Sequence, residues 1–319
     1  MRSALPRAVL DDPLGSVRES CRAVSASARF VEIDEAALAA FARGVVPGEV
    51  RATAPLQLPE AVARDAESAC GYVLALNAVN FGSGYFPELS KRPGHSGFRS
   101  IEACLIDHVE RRGPFEAPWL ASISAQDCAR LFEQESPSGG VHELLQLFAR
   151  AWNDLGGAVG SSFEAYVRST GSSARGLIRR LLEMPLYRDL CELDGHTVAF
   201  LKRAQITASD LAGLPHAPIR YEDLSELTLF ADNLVPHVLR LDGVLLFARD
   251  LVRRIDAGIQ LEWSSREEIE IRAAAVHATA LLALETGLQP RELAAWLWTR
   301  GSAPRYKAVP RHRARCPFY

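Results

Sequence analysis

Apolar residues recur at spacings of three and four along most of this chain, the period of helices that bury one face. Val141 to Leu155 carries Leu144, Leu145, Leu147, Phe148 and Trp152 in this pattern, and Gly156-Gly157 is expected to stop that helix. Asp34 stands as an N-cap ahead of Ala36-Ala37-Leu38-Ala39-Ala40-Phe41-Ala42. Ala61 to Val79 and Ala174 to Met184 repeat the period, the latter ended by Pro185. Arg266 to Leu284 is the longest run, with acids in its first turn where the helix dipole favours them, and Gln289 to Trp298 makes a last short helix. One place breaks the pattern. Asp194-Gly195 lies between two short alternating runs, Tyr187 to Leu193 and Thr197 to Phe200, which signals a hairpin. The expected fold is mainly α, a globular multi-helix bundle with a small β-hairpin near 187–200.

At 319 residues the chain has length enough for a large core, read as one domain over 1–319. Two closely packed lobes, 1–155 and 156–319, are the alternative division. A formal net charge of −3 argues against a protein that coats a nucleic-acid backbone, so no stable nucleic-acid partner is expected. A local basic pocket for one phosphate remains open. Cys21, Cys70, Cys104, Cys128, Cys191 and Cys316 are widely spaced without a CxxC pair, and are read as buried, reduced thiols. The eight histidines form no HxxxH or HExxH pair, and no G-x-S-x-G elbow occurs. Neither a metal, another cofactor nor a serine nucleophile is expected. No apolar run approaches membrane-spanning length, which places the chain in the cytoplasm without a membrane partner.

The segment with the clearest chemistry is Leu229-Phe230-Ala231-Asp232-Asn233-Leu234-Val235-Pro236. A carboxylate follows an apolar run and opens a new apolar helix. Amide dipoles at a helix start keep such a carboxylate ionised. Beside a pocket it stabilises a developing sugar cation, the central demand of N-glycoside cleavage. A plain helix cap explains the same pattern. Gly82 to Gly97, with four glycines and two prolines, is the expected long functional loop, although it carries no phosphate fingerprint.

Five separated motifs agree with one family. Phe200-Leu201-Lys202-Arg203-Ala204-Gln205, Phe230-Ala231-Asp232 with Pro236, Glu268-Ile269-Glu270-Ile271-Arg272, and the tail Pro310 to Tyr319 occur in order, and Asn80-Phe81 with Ser96-Gly97-Phe98 precede them. From about Ala69 to Tyr319 the chain resembles the queuosine salvage proteins, which are queuosine 5′-phosphate N-glycosylases. The resemblance implies hydrolysis of queuosine 5′-monophosphate to queuine and ribose 5-phosphate, for salvage of queuine into tRNA. It gives Asp232 the catalytic role and puts Lys202 near the substrate, on the 5′-phosphate or the sugar. Phe230 and Phe81 would stack on the base, and Asn80 would bond its edge. His95 and Ser96 would form a lid or pocket wall, with Trp298 at the pocket edge. His312 and Arg313 would contact the phosphate or hold glutamates. Each also has an ordinary explanation: a solvated lysine, core aromatics, an unremarkable loop, a charged tail. Glu270 and Arg272, two apart on a helix, point to different faces, so at most one is expected to face the site. The family is expected to carry an acid where Thr299 stands after Trp298, which leaves recognition of the cyclopentenediol open. Ala231 to Val238 also looks like the catalytic-aspartate helix start of helix-hairpin-helix DNA glycosylases, whose bundle the expected fold resembles. Two rivals remain: such a DNA glycosylase, although no LPGVG-type hairpin is present, and a non-enzymatic helical interaction module.

Overall fold

The computed structural model of the chain describes residues 5–53 and 56–319. Among the described residues it contains seventeen α-helices and four short strands, the mainly helical fold that the periodicity predicts. No single helix among them is long and apolar enough to cross a membrane. The chain divides into two compact units. Unit 1 holds Met1–Ala54, Asp189–Gln205 and Asp223–Arg315; unit 2 holds Pro55–Arg188, Ile206–Glu222 and Cys316–Tyr319.

Unit 1 is organised on the helix Arg266–Thr286, against which Pro13–Ala26 and Glu35–Arg43 pack. Ser265 caps it by accepting the Glu268 amide, Glu267 and Glu268 sit in its first turn, and Gly287 ends it at φ 69°. Asp34 caps Glu35–Arg43 as expected, its side chain accepting the Ala37 amide at 2.9 Å. The predicted hairpin is present: Leu190–Leu193 pairs antiparallel with His196–Ala199. Asp194 at φ 50° and Gly195 at φ 78° make its turn, whose left-handed pair matches the strand twist. A second antiparallel pair, Val31–Ile33 with Leu245–Phe247, has no local signal because its strands lie far apart in sequence.

Unit 2 is organised on the helix Gly139–Val159, and here the expected stop is corrected. The helix runs through Gly156-Gly157 and ends ahead of Gly160, which is at φ 75°. Gly156 serves a close approach instead. A Cβ there would lie 2.4 Å from the Ala121 amide nitrogen and 2.5 Å from the Ala117 carbonyl, in the helix Ala117–Ser122 packed alongside. The expected Ala61 to Val79 helix begins later, at Ala66, because the Asp65 carboxylate accepts the Ser68 amide and sets the start. Residues Ala69–Ala78 of that helix are all buried, so its apolar pattern has no polar face to mark an edge.

Candidate active site

Asp232 lies two residues ahead of the helix Leu234–Leu241, with Asn233 as the capping residue between. Its Oδ1 accepts the Leu234 amide at 2.8 Å and the Val235 amide at 3.1 Å. The backbone thus fixes the carboxylate at the positive end of the helix. Around it Ala231 and Asn233 are buried, while Phe230 and Asp232 are half-buried. The Asn233 amide donates to the His312 carbonyl at 3.1 Å, which brings the basic tail to the aspartate.

Lys202 opens the helix Lys202–Ala212 and is 5 % exposed. Burial pushes its ammonium down from the ordinary lysine range to about 8, against the opposing pull of the Asp232 carboxylate; Arg203 lowers it further and Asp189 raises it. Its backbone turns sharply into the helix, because buried Leu201 is at φ 53°, a left-handed conformation that strains a side chain with a Cβ. Gln205 ties this turn to the segment before Asp232. Its Nε2 donates to the Phe200 carbonyl at 2.9 Å and to Thr228 Oγ1 at 3.0 Å, and its Oε1 accepts the Thr228 amide at 2.8 Å.

Beneath both groups lies a buried ion pair. Arg272 holds Asp189 with two bonds, Nη1 to Oδ1 at 3.0 Å and Nη2 to Oδ2 at 2.6 Å. Its Nε and Nη2 also donate to the Ala231 carbonyl at 3.1 and 3.0 Å. Sequence reasoning put at most one of Glu270 and Arg272 toward the site, and both are fully buried. Arg272 joins the Asp232 segment, whereas Glu270 Oε2 accepts the Arg29 and Phe30 amides at 2.9 and 2.7 Å. Neither Asp189 nor the electrostatic role of Arg311 was singled out from sequence. Burial pushes the Arg311 guanidinium below its usual range, with Arg313 lowering it and Asp232 raising it. The dense basic tail was the one signal that pointed to Arg311.

The remaining predicted residues divide between the units. In unit 1, His312 is buried, and burial together with the Arg272 charge pushes its imidazolium down to about 3, so it is neutral at physiological pH. Burial also lowers the Arg313 guanidinium, and its carbonyl accepts the Leu261 amide at 2.8 Å. Trp298 is half-buried on the helix Pro290–Arg300, and Thr299 is exposed. In unit 2, Phe81 is 2 % exposed and packs edge-on against Phe148 at 5.0 Å between centroids. Asn80 is half-buried and donates to Asn77 Oδ1 at 3.1 Å. His95 and Ser96 are exposed; Ser96 caps the helix Gly97–Arg112 by accepting the Arg99 amide, and His95 Nδ1 lies 3.0 Å from the Pro93 carbonyl. The structure therefore gathers Asp232, Lys202, Arg311, His312 and Arg313 in unit 1, and keeps Asn80, Phe81, His95 and Ser96 in unit 2.

All six cysteines are buried, and burial pushes the Cys21 and Cys128 thiols up to about 12, which suits neither as a nucleophile. Among the described residues no group of three or more His, Cys, Asp or Glu side chains is placed to hold a metal ion.

The chain is 31 % identical to the queuosine 5′-phosphate N-glycosylase/hydrolase of Sphaerobacter thermophilus, over 97 % of this chain and 98 % of that protein. It is 28 % identical to the mouse protein of the same name, over 95 % of this chain and 98 % of the mouse protein. The family model described as queuosine salvage protein matches residues 60–319. With its helical fold and the motif residues Lys202 and Asp232 gathered in one unit, this chain belongs to the queuosine salvage protein family.

Proposed function

We propose that this protein hydrolyses the N-glycosidic bond of queuosine 5′-monophosphate and releases queuine and ribose 5-phosphate, so that the base returns to tRNA. The observation that carries this reading is the pairing of a backbone-fixed carboxylate, Asp232, with a buried lysine that feels its charge, in a chain whose relatives bear the name of this activity. Cleavage builds positive charge at the anomeric carbon, and a preorganised carboxylate stabilises that charge without reorganising. It also orients or deprotonates the attacking water. The base is a 7-deaza ring and lacks the nitrogen through which a purine is commonly protonated as it leaves. More of the barrier therefore falls to the sugar-side carboxylate.

Lys202, mostly protonated at neutral pH, holds the 5′-phosphate, and Arg311, which also feels the Asp232 charge, adds positive charge. Phe230, half-buried beside Asp232, supplies an apolar face for the base. The whole chain acts as one catalytic domain in the cytoplasm, on the free nucleotide rather than on tRNA. The test is incubation of the purified protein with queuosine 5′-monophosphate, unphosphorylated queuosine and GMP, with chromatography of the free bases. Queuine from the monophosphate alone is the expected result. No base from any of the three, with a folded protein, would leave a helical interaction module as the better account, and salt-sensitive binding to duplex DNA would revive the DNA glycosylase.

A further inference from the structure

We propose that the buried Asp189–Arg272 pair is a positioning device for the glycosidic reaction: Arg272 fixes the backbone that carries Asp232, and Asp189 fixes the turn that carries Lys202. The inference rests on the glycosylase reading above and adds how its catalytic carboxylate and its phosphate-holding lysine are held in register.

The geometry is specific to a guanidinium. Arg272 is fully buried on the helix Arg266–Thr286 and lies over the Phe200 ring, 3.9 Å from its centroid. One edge of its plane holds both Asp189 oxygens; the other holds the carbonyl of Ala231, the residue before Asp232. Asp189 in turn accepts the Lys202 amide on Oδ2 at 3.2 Å and the Phe200 amide on its backbone carbonyl at 3.0 Å. These bonds bracket Leu201, whose left-handed φ of 53° persists only if its surroundings over-determine it. Asp189 and Phe200–Lys202, at the two ends of the hairpin, and the separate segment Ala231–Asp232 thus converge on one side chain.

A structural explanation fits less well. A buried ion pair is commonly replaceable by packed apolar groups with no loss of stability, so stability alone gives no reason for this pair. Its bonds go to the backbone that carries Asp232 and Lys202, and its charges act on Lys202. Lys202 is faced by Asp232 and Asp189, which hold its proton, and by Arg203 and Arg272, which oppose it.

Two conservative variants test the role. Arg272→Lys keeps the charge, but one ammonium cannot reproduce both edges of the fork. Asp189→Asn keeps the shape and an oxygen for the Lys202 amide while removing the charge. For both, kcat and KM for queuine release from queuosine 5′-monophosphate are measured, together with the pH profile and the thermal melt. The expected result is folded protein with kcat lowered by about 10²-fold, the loss that a small misplacement of reacting groups produces, with KM little changed in Arg272→Lys and raised in Asp189→Asn, where the lysine that holds the phosphate is loosened. In Asp189→Asn the alkaline limb of kcat/KM moves to lower pH, because Lys202 has lost a carboxylate that holds its proton. Folded variants with wild-type kcat and an unmoved limb would overturn the proposal. Variants that melt below the assay temperature would also overturn it, since the pair would then be an element of the fold. An inactive wild type would instead overturn the reaction itself, and the positioning role with it.

Discussion

In unit 2 the interior is aromatic. Phe115, Trp119, Phe132, Phe148 and Trp152 pack ring to ring at centroid distances between 5.3 and 6.2 Å, and Phe81 abuts Phe148. In unit 1 the interior carries Asp189, Lys202, Arg203, Glu268, Glu270 and Arg272 at 5 % exposure or less. Ring packing needs no partner of opposite charge, so the first interior is stabilised by area and shape. Taking charges out of water costs several kcal/mol per ion, roughly, before any partner returns it, so removing one partner alone from the second leaves an uncompensated buried charge. The contrast separates an interior held by packing from one held by paired charges and their hydrogen bonds. The costly interior is the one that surrounds Asp232.

Arg272→Met leaves Asp189 buried without its guanidinium and is expected to cost about 3–5 kcal/mol by urea unfolding. Phe132→Ala in unit 2 is expected to cost a similar amount, about 3–5 kcal/mol, through a cavity. The two differ in turnover per folded molecule, which falls for Arg272→Met and stays at the wild-type level for Phe132→Ala. A fall in both would erase the distinction. Gly156→Ala sets a Cβ against the Ala117–Ala121 backbone, and an overpacking cost of about 1–3 kcal/mol should appear as a lower Tm with kcat retained.

The smallest effect is in pH. Lys202 loses its proton as pH rises through about 8, so kcat/KM for the monophosphate should fall roughly tenfold per pH unit above that point. In Lys202→Arg, whose guanidinium keeps its proton, the same limb should be absent. Its presence in that variant would assign the limb to another group. Stability runs the other way. Because the folded-state lysine is lowered from 10.5 to about 8, the unfolded chain binds the extra proton in that window, and this group's contribution to folding grows as pH rises across it.

Much of this was legible in the sequence because its signals are local. Asp34 ahead of its helix, Asp194-Gly195 in the hairpin and the acids opening Arg266–Thr286 each act within a few residues. Asp232 was legible for the same reason, since the amides it binds are two and three residues on. Gly156 misled because a glycine needed for close helix contact looks the same in sequence as one that ends a helix. Asp189 was not found because its partner is 83 positions away, and no local spacing links a hairpin aspartate to an arginine among helical alanines. The family resemblance supplied the reaction, while the contacts that hold its groups came only from the fold.

The most direct test of the central claim is single-turnover cleavage of queuosine 5′-monophosphate by Asp232→Asn, with substrate binding and the thermal melt measured on the same preparation. The account predicts a folded variant that still binds the nucleotide and releases queuine about 10²–10³-fold more slowly than wild type, the scale of losing one preorganised electrostatic group. Cleavage at the wild-type rate by the folded variant would contradict it and reduce Asp232 to the cap of the helix Leu234–Leu241.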